Sequence, residues 1–297
     1  MEEKQEFSTI IDTMEIKLKL TNVQDLNRIS IDNFEYIKSV RTNLEKSEMI
    51  IALSLNRRQG HYNRLTTLSE NGEEFKAMLK DFGVVIHEDV KLNRLDISID
   101  TQLDFDDNFK YFLYMFELCT YTDKRADKWY TTNLNTLKNN TIKQMGRKLQ
   151  VVFYDKNDES NGRHLYNSRM EFRFLDISSA DFKKHIDKLT ELINSIEQNI
   201  ELLDKNMSAR ICRLYDNAIK KHDVKTLSEF VRMYDKYIYT SNILKELYDY
   251  VGLKGTYNNW LREFRRNNEG KLKLFTTNDV KKYKADCIRS IKAYKNN

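Results

Sequence analysis

The sequence predicts an α+β protein in which an antiparallel sheet with helices is followed by a mainly helical C-terminal part. Short segments within the first 178 residues alternate apolar and polar side chains, which is the period of a half-buried strand. From Ser179 onward the apolar residues instead recur at helical spacing. The charge changes at the same place, because residues 1–178 carry 26 Lys and Arg against 29 Asp and Glu, whereas residues 179–297 carry 24 against 16. We therefore divide the chain into an α+β domain, residues 1–178, and a basic helical region, residues 179–297.

The composition is that of a folded protein and leaves several functional classes without support. The 297 residues are 40% hydrophobic and 11% aromatic, enough for a substantial core. No apolar run reaches the roughly 18 residues that a membrane span needs, and the acidic start MEEKQEFSTI is unlike a secretory signal. The three cysteines form no CxxC pair, the five histidines form no HExxH pair, and no glycine-rich phosphate loop is present. We expect a cytoplasmic protein without membrane contact.

The elements of the first part follow from their spacing. Thr13–Leu20 alternates as a strand, and the runs Glu48–Asn56 and His61–Ser69, joined by a short Arg- and Gly-containing link, predict a hairpin. Helices are predicted over Asn71–Phe82, ending at Gly83, and over Phe109–Tyr121. Further strands are predicted at Leu92–Leu103, Tyr130–Leu137, Lys148–Tyr154 and Arg169–Leu175, which completes a central antiparallel sheet.

The second part contains a pattern that also occurs in DNA-binding proteins. A long amphipathic helix is predicted to open at Ser179 or Asp181. A helix over Asn242–Val251, a tight Gly-containing turn and a second helix from Thr256 to about Arg266 have helix-turn-helix spacing. A short strand at Lys271–Phe275, before a last helix capped by Asn278, makes a winged helix a second form of the same prediction. An ordinary helical hairpin explains the pattern equally well.

Two strands present polar faces that could hold a cation. Arg94, Asp96, Ser98 and Asp100 lie on one face of the Leu92–Leu103 strand. Buried carboxylates without a partner are costly, and carboxylate oxygens without His or Cys suit Mg²⁺ or Mn²⁺. Solvent exposure of the same residues explains the pattern equally well. A second alternating face holds Arg169, Glu171 and Arg173, and Glu171 could complete an acidic site.

Tyr154 ends the apolar strand LQVVFY and is followed by the charged segment DKNDE. A phenol has a pKa of about 10, so it acts as a nucleophile only beside a base, a cation or a metal-polarised substrate. Lys156 is the nearest cation in sequence. Because the chain has 17 tyrosines, a core or surface role for Tyr154 stays open on position alone.

Three motifs, KLNRLDISIDTQLDF, VVFYDKNDE and SRMEFRFL, occur in this order between about residues 90 and 175. They resemble the rolling-circle replication initiators of small Gram-positive plasmids, the Rep trans family, which includes relaxases of some conjugative elements. The resemblance implies a metal-dependent DNA strand transferase that uses Mg²⁺ or Mn²⁺. It implies Tyr154 as the nucleophile that forms a 5′-phosphotyrosyl intermediate, Lys156 and Glu159 beside it, and metal-binding carboxylates at Asp96, Asp100 and Glu171.

The resemblance also implies the partners and the DNA contacts. Double-stranded origin DNA, extruded single-stranded DNA, a second copy of the chain in a homodimer and a host helicase are the expected partners. The expected DNA contacts are Arg94, Arg169 and Arg173 in the first part and Tyr257, Asn258, Asn259, Arg262, Arg265 and Arg266 in the second. Two alternatives remain: a relaxase of a conjugative element, and a non-enzymatic DNA-binding initiator or regulator in which Asp96 and Glu171 are structural.

Overall fold

The structure is a computed structural model that describes residues 7–19, 34–58, 65–82, 91–121, 127–133, 138–177, 181–268 and 272–296. It contains an antiparallel sheet with helices, followed by a helical C-terminal part, so the predicted fold class is confirmed. The strands are β1 (Phe7–Lys19), β2 (Ile37–Asn43), β3 (Glu48–Leu53), β4 (Lys91–Thr101), β5 (Asp127–Asn133), β6 (Lys138–Met145), β7 (Leu149–Asp155) and β8 (Ser168–Leu175).

The helices alternate with the strands at first and then follow one another without interruption. They are α1 (Leu55–Arg58), α2 (Leu68–Asp81), α3 (Phe109–Thr120), α4 (Lys156–Glu159), α5 (Phe182–Lys220), α6 (Leu227–Tyr234), α7 (Ser241–Val251), α8 (Tyr257–Asn267) and α9 (Thr277–Asn296). Within the described ranges, none of them combines the length and the apolar character that crossing a membrane requires.

The strands form one sheet in the order β2-β3-β1-β4-β8-β7-β6-β5, and each neighbouring pair is antiparallel. Strand β8 therefore pairs with β7, which precedes it in the chain, and on its other side with β4, which is more distant in sequence. This order places the strand of Glu171 between the strand of Asp96 and the strand of Tyr154.

The two faces of the central strands differ in polarity. One face is apolar and fully buried; on β4, β7 and β8 it consists of Leu95, Ile97, Ile99, Val151, Phe153, Met170, Phe172 and Phe174. Helices α2 and α5 contact each other through Phe75 and Phe182, with ring centroids 5.4 Å apart. Helix α5 contacts the sheet through His185, which lies 5.6 Å from the ring of Phe174. The opposite face carries the polar side chains of the same strands and is left for the site.

The chain forms two compact units that are built from discontinuous segments. The sheet unit comprises residues 1–107, 123–193 and 285–297, and the helical unit comprises residues 108–122 and 194–284. Relative to the predicted division after residue 178, helix α3 joins the helical unit and the end of α9 joins the sheet unit. In the sheet unit, Thr9 of β1 and Ser290 of α9 share a buried hydrogen bond of 2.7 Å.

One predicted connection is wrong. Strand β3 pairs with β2 rather than with the run at His61–Ser69, and α1 begins directly after β3. Residues 61–64 lie outside the described residues, and Thr67 caps α2 through a capping box with Glu70. The hairpin is excluded because Leu68 and Ser69 are already helical.

The C-terminal elements largely match their predicted positions. Asp181 accepts a hydrogen bond from the amide of Lys184, so it caps α5. Helix α9 is capped by Thr276 rather than by Asn278, since the Thr276 hydroxyl accepts from the amide of Asp279. Of the predicted strand, the described residues show a single bridge between Thr240 and Phe275, so this part of the chain provides no wing. The predicted boundary residues Leu20, Gly83, Leu137, Ser179 and Lys271 also lie outside the described residues.

Two glycine replacements test the local backbone with opposite signs. Gly252 ends α7 in the left-handed region at φ 69°, so Gly252→Ala should destabilise the protein by roughly 1–2 kcal/mol. Gly72 lies inside α2, and a Cβ there meets nothing within 4 Å, so Gly72→Ala should stabilise by about 0.5–1 kcal/mol. Urea unfolding followed by circular dichroism measures both; equal signs would contradict the assigned conformations.

Candidate active site

A polar cavity of about 560 Å³ opens on the polar face of the sheet, within the sheet unit. Residues from β1, β2, β3, β4, β7 and β8 line it, together with α1 and the segment between β7 and β8. Among the described lining residues, the carboxylates are Asp12, Glu15, Asp96, Glu159 and Glu171, and the cations are Lys38, Arg57, Arg94, Lys156, Arg163, Arg169 and Arg173. The excess of cations suits a phosphate-bearing substrate.

Tyr154 lies in this cavity at the end of β7, where its backbone pairs with Arg169 of β8. Its Oη donates a hydrogen bond to Oε2 of Glu171 at 3.1 Å. Burial, and then the nearby negative charge of Glu171, raises the pKa of the phenol well above its usual value. The phenol therefore keeps its proton at neutral pH, and Glu171 is the group positioned to accept it.

Asp96 and Glu171 form a pair of neighbouring carboxylates on β4 and β8. Ser98, two residues from Asp96, lies opposite Glu171 in the register, so the two acids are diagonal neighbours on one face. Burial and the charge of Glu171 raise the pKa of Asp96 to about 7, even though Arg94 hydrogen-bonds both of its oxygens at 2.7 and 2.5 Å. Arg173 likewise donates to Glu171 at 2.5 Å. Arg94 and Arg173 both line the cavity.

Arg169 is the largest fully buried side chain described, and it binds two further carboxylates. Its Nε and Nη2 donate to Asp100 at 2.6 and 3.0 Å, and its Nη1 donates to Asp12 at 2.6 Å. Burial alone would lower the pKa of Arg169, but Asp100 and Asp12 hold it well above its usual value. Burial alone would raise the pKa of Asp12, but Arg169 and then Lys38 hold it well below its usual range. The cluster is therefore charged and mutually satisfied.

A β-bulge brings Asp12 into this cluster. In the antiparallel register, Ile11 pairs with Ile97, and Thr13 pairs with Asp96, which is adjacent to Ile97 on β4. Asp12 is therefore the extra residue of β1. Without the bulge, the alternation of a regular strand would fix the side of Asp12 by that of its neighbours. The bulge thus directs a carboxylate towards Arg169.

Lys156 and Glu159 belong to the short helix α4 that directly follows Tyr154. Asp155 caps this helix by accepting from the amide of Asp158 at 2.8 Å. Lys156 Nζ lies 2.5 Å from Glu159 Oε2 and 5.7 Å from the centroid of the Tyr154 ring. The lysine therefore places a cation beside the phenol, as its position in sequence indicated.

Two of the predicted site residues in the sheet unit, Asp100 and Arg169, are bound to each other. Asp100 is fully buried and both of its oxygens are bound by Arg169, so it lies beneath the cavity rather than among its lining residues. Arg169 is 1% exposed and its guanidinium is engaged by the two carboxylates, so its role as a direct DNA contact stays a prediction. The other predicted site residues of this unit lie together in the cavity: Tyr154, Lys156, Glu159, Asp96, Glu171, Arg94 and Arg173.

Asp12, Glu15, Lys38, Arg57 and Arg163 are charged site residues that the sequence did not reveal. Asp12 stands alone in an apolar run, IIDTM, and this isolated charge is the one signal that could have marked it. Arg57 lies in the link that was assigned to the hairpin, and Arg163 lies in the segment after α4. Nothing in their local pattern indicates a common site.

The predicted DNA-contact residues of the second part lie on α8, in the helical unit. Helices α7 and α8 and the turn at Gly252 and Gly255 have the predicted spacing. Tyr257 is half-buried and packs against Tyr248 and Trp260. The exposed side chains of this helix include Asn258, Asn259, Arg262, Arg265 and Arg266.

The carboxylates fit Mg²⁺ or Mn²⁺ only with help from a substrate. Within the described part of the chain, no three His, Cys, Asp or Glu side chains form a ready cluster. Asp96 and Glu171 nevertheless form a buried pair whose mutual repulsion helps to raise the pKa of Asp96. Mg²⁺ is commonly held by one or two carboxylates together with substrate phosphates and water, whereas the oxygens of this pair are engaged here by Arg94, Arg173 and Tyr154.

Comparisons with known proteins found a remote structural likeness and no match of sequence. No family model matches the sequence, and no curated protein matches it at a significant level. Among solved structures, a rolling circle replication initiator protein from Geobacillus stearothermophilus is 14% identical, with a TM-score of 0.34 over 62% of this chain and 78% of that chain. A likeness of this extent carries no argument about activity.

Replacing Arg169 tests the buried cluster. Arg169→Met removes the arginine bound to Asp100 and leaves Asp12 with Lys38 alone, so the free energy of unfolding should fall by roughly 3–5 kcal/mol. Arg41→Met is the control, because Arg41 forms an ion pair with Glu15 while its side chain is 61% exposed, and it should cost less than about 1 kcal/mol. Urea unfolding measures both variants. Similar small losses would contradict a structural role for the cluster.

Proposed function

We propose that this protein nicks one strand of DNA with Tyr154 and so initiates rolling-circle replication. The observation that carries the proposal is the hydrogen bond from Tyr154 to Glu171 inside a cavity rich in Lys and Arg. This arrangement pairs a nucleophile with a base within hydrogen-bond reach, in surroundings that attract phosphate. The resemblance of the three motifs to rolling-circle initiators is consistent with it and directs the choice of substrate.

The proposed step is an attack of the Tyr154 phenol on a phosphodiester of single-stranded DNA. A bond forms between Oη and phosphorus, and the bond between phosphorus and the 3′ oxygen breaks. The phenol proton passes to Glu171, and the leaving 3′ oxygen takes a proton from water. The products are a 5′-phosphotyrosyl linkage and a free 3′-hydroxyl that can prime synthesis. Because the pKa of the phenol is raised, proton transfer must accompany the attack.

Several other groups of the cavity have a role in this proposed step. Asp96 and Glu171 would hold Mg²⁺ or Mn²⁺, which supplies charge neutralisation at the phosphate when bound. Lys156, beside the phenol ring, favours the approach of the phosphate to Tyr154. Arg169 acts as a positioning residue, since its backbone pairs with Tyr154 and its side chain holds β1, β4 and β8 together.

The helical unit supplies the choice of DNA in this proposal. Helix α8 presents Arg262, Arg265 and Arg266 together with two exposed asparagines near its N-terminus. Asparagine can read adenine and arginine can read guanine or phosphate, which is the chemistry of a recognition helix. We include binding of double-stranded origin DNA by α8 in the proposal on this basis.

A second candidate is a DNA-binding initiator without catalysis. It is favoured by one observation: Arg94 already neutralises Asp96, and Arg173 already neutralises Glu171. In that case the acids serve to hold the sheet together, and Tyr154 is a structural hydrogen-bond donor. Formation of a covalent DNA adduct separates the two candidates.

The nucleophile is tested by removing its oxygen. Tyr154→Phe should abolish the SDS-stable adduct with a randomised pool of single-stranded DNA in Mn²⁺, a loss of roughly 10³-fold or more. DNA binding should stay within about twofold, because the phenol is one group among many cations. Tyr166→Phe is the matched control, since Tyr166 is a half-buried tyrosine near the site that does not line the cavity. An adduct formed by Tyr154→Phe would overturn the assignment.

The pKa of Asp96 predicts how cation binding depends on pH. With a pKa of about 7, Asp96 is mostly ionised above pH 8 and mostly protonated below pH 6. A proton and a cation compete for this carboxylate, so Mn²⁺ affinity should fall by up to about tenfold per pH unit below 7. Calorimetric titration of Mn²⁺ between pH 5.5 and 8.5 measures this slope. Asp96→Asn should weaken binding and remove the slope; a slope that persists would contradict the role of Asp96.

A further inference from the structure

The cations of the cavity fall into two classes according to their partners. Five of the seven lie within ion-pair distance of a carboxylate: Lys38 with Asp12, Arg94 with Asp96, Lys156 with Glu159, Arg169 with Asp100 and Asp12, and Arg173 with Glu171. Arg57 and Arg163 are exposed, and neither forms an ion pair with any carboxylate in the described part of the chain. The net positive charge of the cavity therefore resides on these two side chains.

The two arginines border the cavity from different parts of the sheet. Arg57 lies on α1, directly after β3, whereas Arg163 lies between α4 and β8. Strands β1 and β4 separate β3 from β8 in the sheet. Two cations on separate elements that border one cavity can bind two different phosphates of one extended strand.

Both arginines lie on segments that are fixed by hydrogen bonds of neighbouring residues. Beside Arg57, the Asn56 side chain donates to the carbonyl of Ile11 at 3.2 Å and accepts from the amide of Leu65 at 3.1 Å. Beside Arg163, the amide of Gly162 donates to the carbonyl of Asn157 at 2.8 Å, with Gly162 at φ 74°. Fixed backbones reduce the entropy that is lost when the side chains bind a ligand.

We infer that Arg57 and Arg163 hold the DNA strand across the cavity by binding two of its phosphates. The inference rests on the proposed function for the choice of DNA as the ligand, but the contact itself needs no chemistry. Because neither arginine has to leave a carboxylate partner in the described residues, phosphate binding costs no ion pair. Arginine forms bidentate hydrogen bonds with phosphate, which adds direction to the attraction. The two are positioning residues rather than catalytic ones.

The test measures binding of a 20-nucleotide single strand of random sequence by fluorescence anisotropy at several salt concentrations. All variants carry Tyr154→Phe, so that no adduct forms. Arg57→Gln and Arg163→Gln should each weaken binding and lower the slope of log affinity against log salt by about 0.7, and the double variant by about 1.4. Arg57→Lys and Arg163→Lys should keep the slope, because lysine keeps the charge. The matched control is Arg147→Gln, since Arg147 is exposed in the same unit but lies outside the cavity.

The outcomes separate this inference from the proposed function. If Arg57→Gln and Arg163→Gln leave the same salt slope as Arg147→Gln, the inference is overturned, whatever the adduct assay shows. If the slopes fall as expected but protein with Tyr154 intact forms no adduct, the strand is held in the cavity and the nicking proposal fails. Circular dichroism of each variant should match that of the Tyr154→Phe protein, and a loss of slope together with a loss of folded signal would count against the inference.

Discussion

The ion cluster of Arg169, Asp100 and Asp12 is the interaction on which the site depends. A sheet with one apolar and one polar face must pair the charged side chains that it buries, because an unpaired carboxylate inside a protein costs free energy. Arg169 does so for β1 and β4 at once while its backbone forms the ladder with Tyr154. The floor of the cavity is therefore a closed set of charges, above which Tyr154, Glu171 and Asp96 can be arranged.

Above this cluster, Tyr154, Asp96 and Glu171 have different roles in the site. Burial raises the pKa of the Tyr154 phenol and of the Asp96 carboxyl, which disfavours the charged form of both groups. Each therefore needs a partner before it can react. Glu171 is the shared neighbour of both, through its hydrogen bond with Tyr154 and its charge beside Asp96. A substrate that brings phosphate and a cation supplies what this arrangement lacks, and the exposed arginines at the edge of the cavity offer the phosphate a place to bind.

The sequence predicted the strands of the site well because each is a regular alternation with one buried face. Strands β4, β7 and β8 match their predicted spans to within a few residues, and the acids fall on the face that alternation assigns to them. Strands β2 and β6 were missed, since a register shift after Ile37 interrupts the alternation of β2 and the segment KNNTIKQM contains few apolar residues. The false hairpin arose from alternation alone, although the Thr67 to Glu70 spacing carried the signal of a helix start.

Other features could not be predicted because they depend on distant parts of the chain. The bulge at Asp12 is defined only by its pairing with β4, about 85 residues further along the sequence, and the assignment of α3 to the helical unit depends on residues beyond 194. Burial of Arg169 is likewise visible only once three strands are assembled, since alternating charges on a strand also describe a solvent-facing edge.

The most direct measurement of the central claim is mass-spectrometric mapping of the DNA-linked peptide after the unmodified protein is incubated with single-stranded DNA and Mn²⁺. We expect one nucleotide-modified tyrosine, Tyr154, in the peptide that contains LQVVFYDK. A modified tyrosine elsewhere, or a protein that binds DNA and yields no linked peptide, would contradict it.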